Sequence, residues 1–277
     1  MSQNPLQKYF RQPKIYIKLP SLGSYYEPNV VVQGDIGRLP VYGMTGMDEI
    51  IAKTPDALLS GESTAKVIES CIPNIVDAWK LNLLDLDAIL AAIRIATYGQ
   101  DLELTSYCSN CGAENHYTVD VSQRIEFYKS CKYDNKVSVD KDLVVYIKPL
   151  TYKESSDFSL KNFQLQQQLK QIIELTDEEK RQTAINETYK QVGEIQKDIL
   201  FASIEVVETA DVRVNEPKFI REWLENCDKS VYVLLQTKIE ANREAWQIPH
   251  PKVICGECKH EQDLIVELDR SNFFEIA

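Results

Sequence analysis

Two short cysteine pairs set the strongest constraint on how this chain can fold. Cys108-Ser-Asn-Cys111-Gly and Cys255-Gly-Glu-Cys258-Lys each lie among residues that alternate as strands do. Leu102 and Leu104 precede the first pair, Tyr117 and Val119 follow it, and Leu264, Val266 and Leu268 alternate after the second. A tight turn between two strands aims two thiolates at one point, so each pair has the form of half a zinc ribbon. A structural zinc takes four ligands in a tetrahedron and needs no open position, and the two halves together supply that set. The sequence therefore predicts one Zn2+ ion held by Cys108, Cys111, Cys255 and Cys258.

In an ordinary ribbon about 15 to 20 residues separate the halves, whereas here residues 112–254 intervene. The long segment must then be inserted within the ribbon, and the entropy of closing it grows only logarithmically with its length. The competing uses of these cysteines are disulfides, half-sites joined across a dimer, exposed redox dithiols and an iron–sulfur cluster. Thioredoxin-like chemistry places its dithiol at a helix N-terminus, and no helical pattern follows either pair. His116 and His260 stand close behind the pairs, where a solvated histidine on a strand is the commoner arrangement than a ligand or an outer-sphere partner. Cys71, Cys131 and Cys227 read as small buried hydrophobes.

The rest of the chain supplies strands at both ends and helices between. Residues 14–19 alternate as a half-buried strand, and residues 29–32 offer a second after the Tyr25-Tyr26-Glu27-Pro28 turn. Thr45 with Asp48 forms a capping box for a helix that stops near Thr54-Pro55, and more helix follows the Ser60-Gly61 break with Ser63 as its cap. Asp85 reads as the N-cap of a helix carrying Leu86, Ile89, Leu90 and Ile93 on one face and closed by Gly99. Residues 141–150 give one more strand. Phe158, Leu165, Leu169 and Ile172 form one helical stripe, and Ile185, Tyr189, Val192 and Ile199 form another, capped by Thr176 and Glu179. Pro217 opens a shorter helix with Phe219, Ile220, Trp223 and Leu224, and a last helix carries Val231, Leu234, Leu235 and Ile239. The expected fold is α+β: an N-terminal domain over 1–125 with the first knuckle, a strand plus a mainly helical insertion over 126–249, and a hairpin over 250–277 that packs the second knuckle back on the first.

Charge and motifs narrow the function. Lys and Arg number 31 against 42 Asp and Glu, giving a net charge of −11, which repels phosphate backbones unless a basic patch overrides it. No lysine or arginine occurs between Ser106 and His116, and only Lys252 and Lys259 flank the second pair, so a zinc-ribbon nucleic-acid binder is the second reading and no nucleic-acid partner is expected. The first residues lack an apolar export segment, and the most hydrophobic stretch, residues 86–96, is broken by Asp87 and Arg94, so no membrane span is expected. Ser63-Thr64-Ala65-Lys66 matches a Ser-x-x-Lys signature without its companion motifs, and His260-Glu261 lacks the second histidine of a zincin. No phosphate-binding glycine loop or nucleophile elbow occurs, so no catalytic residues are assigned. A third reading, a thiol oxidoreductase, requires a low-pKa exposed cysteine.

The run from Asn4 to Tyr16, the segment Leu39-Pro-Val-Tyr-Gly-Met-Thr-Gly-Met-Asp-Glu-Ile50, the segment Lys53-Thr-Pro-Asp-Ala-Leu-Leu-Ser-Gly-Glu62 and the helix ending Ala92-Ile-Arg-Ile-Ala-Thr-Tyr-Gly99 resemble the T-even-type bacteriophage baseplate protein family. The resemblance covers roughly the first hundred residues, with the first knuckle after them. It implies a component or assembly factor of the baseplate central hub, working by contacts with other baseplate and hub proteins and without enzyme activity. It also implies residence in the host bacterial cytoplasm during assembly, followed either by departure from the assembled particle or by a place in the tail baseplate of the virion. Leu6, Tyr9 and Phe10 with Lys8 and Arg11 form a short aromatic and basic arm suited to docking on such a partner.

Overall fold

The computed structural model describes residues 4–27, 29–32, 38–53, 61–173 and 177–266. The expectations placed on Pro28, Thr54-Pro55, Ser60, Thr176 and Leu268 lie outside these residues. The chain divides into two compact units, Met1–Cys131 with Gln247–Ala277, and Lys132–Trp246.

The first unit opens with β1 (Pro13–Ile17), antiparallel to β2 (Leu39–Tyr42). Residues 29–32 contribute only an isolated bridge, Val31 to Ile75. Helix α1 (Gly46–Ala52) starts at the expected capping box, in which Asp48 N–H donates to Thr45 Oγ1 at 3.2 Å and Thr45 N–H donates to Asp48 Oδ2 at 2.7 Å. Helix α2 (Glu62–Cys71) departs from expectation, because Gly61, at φ +78°, occupies its N-cap and Ser63 lies inside the first turn. The Ser63 hydroxyl is buried with no hydrogen-bond partner, so it caps nothing.

Helix α3 (Leu83–Tyr98) is the centre of this unit, with Leu86, Ile89, Leu90 and Ile93 all buried and Gly99, at φ +94°, just past its end. Its N-cap is Asn82, whose Oδ1 accepts the Asp85 N–H at 3.1 Å. Asp85 is therefore the third helical residue and not the cap. Two capping-type residues lie three apart here, and burial of Leu84 draws the helix start one turn earlier. The carboxylate of Asp85 turns instead to the 19–27 loop, accepting from Ser21 N–H at 2.7 Å and from the Ser21 and Tyr26 hydroxyls at 2.5 Å each. Next come β3 (Asp101–Tyr107) and its antiparallel partner β4 (Glu114–Asp120), then helix α4 (Ser122–Ser130), which has no counterpart in the sequence reading.

The second unit holds a four-stranded antiparallel sheet in the order β5 (Lys136–Asp140), β6 (Leu143–Ile147), β7 (Ile204–Thr209), β8 (Arg213–Val214). Only β6 was legible as a strand. The hairpin of α5 (Tyr152–Ile173) and α6 (Glu178–Ala202) separates β6 from β7. A capping box of Thr151 and Glu154 opens α5, and Asp177 caps α6 through the Lys180 N–H at 3.2 Å. Leu165, Ile195 and Leu200 are buried, whereas Tyr189, placed in the apolar stripe, is 65% exposed and Thr188 takes the inward position. Helices α7 (Pro217–Asn226) and α8 (Lys229–Ala245) complete the unit, and Ile220, Leu224 and Leu235 join Val145, Ile147, Ile204 and Val207 in its core.

Candidate metal centre

The first cysteine pair follows β3 and the second stands between β9 (Lys252–Ile254) and β10 (Glu261–Asp263), two strands that pair antiparallel. Both turns are built alike. Cys108 N–H donates to Ala113 O at 2.9 Å and Gly112 N–H returns to Cys108 O at 2.9 Å. In the second turn Cys255 N–H donates to His260 O at 2.9 Å and Lys259 N–H returns to Cys255 O at 3.1 Å. The residue four after the leading cysteine is left-handed in each, Gly112 at φ +72° and Lys259 at φ +62°.

These turns bring all four Sγ atoms within 4.8 Å of one another. Cys108 and Cys258 are 3.6 Å apart and Cys111 and Cys255 3.8 Å. A tetrahedron with metal–sulfur bonds of about 2.3 Å has edges of about 3.8 Å, so the spacing suits a single four-thiolate ion with no vacant position. Cys108 and Cys255 are buried, and Cys111 and Cys258 lie toward solvent. Among the described residues no histidine or carboxylate joins this cluster. His116 is exposed and meets Thr105 Oγ1 at 3.1 Å and Glu114 at 3.6 Å. Cys71, Cys131 and Cys227 lie outside the cluster and are buried or half-buried.

The surrounding donors polarise Cys111, Cys255 and Cys258 unequally. The backbone N–H groups of Cys258 and then Glu257, with the Asn115 amide, pull Cys255 down to about 6. The Asn110 amide is the main cause of the lowered Cys258. At Cys111 the Ala113 N–H also lowers the thiol, but the sulfurs of Cys258, Cys108 and Cys255 outweigh it and push it up to about 12. Crowded thiolates resist joint ionisation without a neutralising cation. Four sulfur donors at this spacing suit a soft divalent ion.

Side chains that pattern reading did not single out as functional tie the two turns together. Asn110 Nδ2 donates to Cys258 Sγ at 3.6 Å, and Asn115 Nδ2 donates to Cys255 Sγ at 3.6 Å. Gln262 Oε1 accepts the Ser109 N–H at 2.8 Å, and the Tyr117 hydroxyl donates to Ile254 O at 3.3 Å. Periodicity carries no sign of such roles. The one available signal is an amide inside, or just after, a cysteine turn, where sulfur needs donors.

The T4 bacteriophage base plate protein family matches residues 45–275. The chain belongs to that family. The match runs through both cysteine pairs and all of Lys132–Trp246, well beyond the N-terminal segments that carry the sequence resemblance. No curated protein and no solved structure matches the chain. Membership makes it a structural protein of the phage baseplate, and no helix among the described residues is long and apolar enough to cross a membrane.

In this baseplate protein the N-terminal arm is shorter than its sequence suggests. Leu6, Tyr9 and Phe10 are more than half exposed. Arg11, by contrast, donates to Gly43 O and Ser70 O at 2.7 Å each, meets Asp48 at 3.3 Å and covers the Tyr42 ring. Arg11 therefore belongs to the fold, and only residues 4–10 project an aromatic and basic surface.

Proposed function

We propose that this protein is a structural component or assembly factor of the baseplate central hub, stabilised by one Zn2+ ion on Cys108, Cys111, Cys255 and Cys258. The observation that carries the metal is the approach of four Sγ atoms to within 4.8 Å from segments far apart in sequence. The ion staples the two ends of a β unit, and residues 126–249 form an insertion whose surfaces serve partners. Hub proteins are those partners, met in the host cytoplasm during assembly. The chain is acidic, and beside the second turn Lys252 is paired to Glu261 at 3.2 Å, which speaks against nucleic-acid binding at the cysteine turns.

Elemental mass spectrometry of the purified protein tests the metal. One zinc per chain is expected, lost in Cys108→Ser and in Cys255→Ser with a fall in thermal stability. Absence of metal with four free thiols would remove it. Baseplate intermediates from infected bacteria test the role: the protein is expected in hub-containing intermediates, and Tyr9→Ala with Phe10→Ala should reduce its incorporation while leaving the fold intact.

A further inference from the structure

Each of the two hairpins that carry the cysteines is a two-stranded sheet, and among the described residues no further strand pairs with the outer edges of β3 and β10. Hydrogen bonds fix which backbone groups lie on those edges. Cys108 N–H donates to Ala113 O, and Val121 N–H donates to Gln100 O. Within the continuous register of β3 on β4, the even-numbered residues of β3 therefore bond to β4. The N–H and C=O groups of Glu103, Thr105 and Tyr107 point the other way. In the second hairpin Cys255 N–H bonds to His260 O and Leu264 N–H to Pro251 O, which leaves the backbone groups of Glu261, Asp263 and Ile265 on the side away from β9.

Between these two edges runs a groove of about 380 Å³, walled by residues 104–107, 109 and 262–265 and by none of β4 or β9. Gln262 closes its end beside the metal site, donating to Tyr107 O at 3.3 Å while accepting from Ser109. Tyr107 and Ile265 stand on its walls at 65% and 63% exposure. Neither β3 nor residues 261–266 contain a basic residue, and Glu103 and Asp263 are exposed acids. Apart from Tyr107 O, which Gln262 already claims, the outward peptide groups of these edges have no partner among the described residues, so the groove presents open peptide groups, apolar side chains and exposed acids together.

We propose that this groove takes one extended segment of another baseplate protein, apolar with interspersed basic residues, as a strand added between β3 and β10. Strand addition satisfies both rows of peptide groups at once, and the alternating side chains of the guest meet the apolar walls and the acids. Because β3 runs toward the cysteine cluster and β10 away from it, the guest lies antiparallel to one and parallel to the other. The baseplate source of the segment rests on the function proposed above. The groove's preference for an extended basic and apolar chain rests on its own geometry.

A short synthetic peptide of alternating valine and lysine, added to the full-length protein, tests the groove. It is expected to slow amide exchange at Thr105 and Ile265, whereas the valine and glutamate counterpart does not. Thr105→Pro removes one outward N–H without touching the bonds to β4. It should weaken the valine and lysine peptide by about tenfold, and Thr105→Val should not. Asp263→Lys, an exposed change, should weaken the same peptide independently of any disturbance by proline. Unchanged exchange at Thr105, or full affinity in both Thr105→Pro and Asp263→Lys, overturns the proposal. In infected bacteria, wild-type protein absent from baseplate intermediates overturns the hub reading, whereas wild type and Thr105→Pro incorporated equally overturns the groove.

Discussion

Asn115 accepts the Gly256 N–H through its side-chain oxygen at 2.8 Å, joining the strand after the first cysteine pair to the middle of the second. The same side chain donates to Ala113 O at 2.9 Å and to Cys255 Sγ at 3.6 Å, and it is buried. One amide thus holds a first-turn carbonyl, a second-turn N–H and a sulfur in a fixed relation.

Asn115→Ala should therefore act on both fold and metal. Removing the acceptor of the Gly256 N–H should cost about 0.5 to 1.5 kcal/mol, and loss of the donor to Cys255 should weaken metal affinity by roughly 10 to 100-fold. Thermal melts with and without a competing chelator would separate the two effects. An unchanged chelator midpoint would show that the amide does not support the sulfur.

The paired turns differ at one backbone position, and the difference is testable. Gly112 is left-handed without penalty, whereas Lys259 adopts φ +62° with a side chain. A left-handed L residue costs about 1 to 2 kcal/mol. Lys259→Gly should raise stability by about 1 kcal/mol, less whatever the lost Lys259 Nζ bond to Gly256 O at 2.7 Å contributes. Gly112→Ala should lower it by a similar amount, since its Cβ would meet nothing within 4 Å and only the backbone term remains. Denaturant midpoints of the two variants would show opposite shifts.

These features mark where the sequence is informative. The cysteine pairs, the capping box at Thr45 and the apolar face of α3 are local patterns, and each is legible because its partners lie within a few residues. Strand β7 is not, because it is short, follows the long α6 and pairs with β6 only across the α5–α6 hairpin; β5 pairs locally with β6, but its five residues, with charges at both ends, carry too weak a pattern to mark a strand. Asn115 and Gln262 belong to the same illegible class: each is a polar residue on a strand whose role arises from a partner over a hundred residues away. Asp85 was misread for a related reason. A carboxylate near a helix start suits a cap, and only the fold reveals that Ser21 and Tyr26 claim it.

Asp85 also gives the unit a pH dependence. Burial raises its pKa against the lowering effect of the hydrogen bonds from Ser21, Tyr26 and Asn82. The folded chain then binds this proton more tightly than the unfolded chain, whose carboxyl titrates near about 3.9. The contribution to stability is fullest below that value and declines as pH rises through the folded-state pKa. Asp85→Asn should remove that decline, and Asp85→Ala should cost roughly 3 kcal/mol in the acid range by stranding the Ser21 N–H and both hydroxyls, and less as pH rises through the folded-state pKa. Urea unfolding of wild type and Asp85→Asn across the acid range would test this, and parallel curves would refute the assignment.

Chelation should divide the chain along its two units. In the second unit Asn242 accepts the Asp134 N–H and donates to Asp134 O, each at 2.9 Å, from a position only 6% exposed. None of the four clustered cysteines lies in that unit, so its sheet rests on its own core and on bonds of this kind. Removing the ion should release amide protection in residues 102–119 and 252–264, where the paired strands lose the staple between their turns. Protection in residues 143–147 and 204–209 should persist. Asn242→Ala should do the reverse, costing about 1 to 3 kcal/mol in the second unit while the zinc content stays at one per chain. Hydrogen exchange by mass spectrometry reads both effects, and loss of protection throughout the chain on chelation would mean that the ion supports the second fold as well as the first.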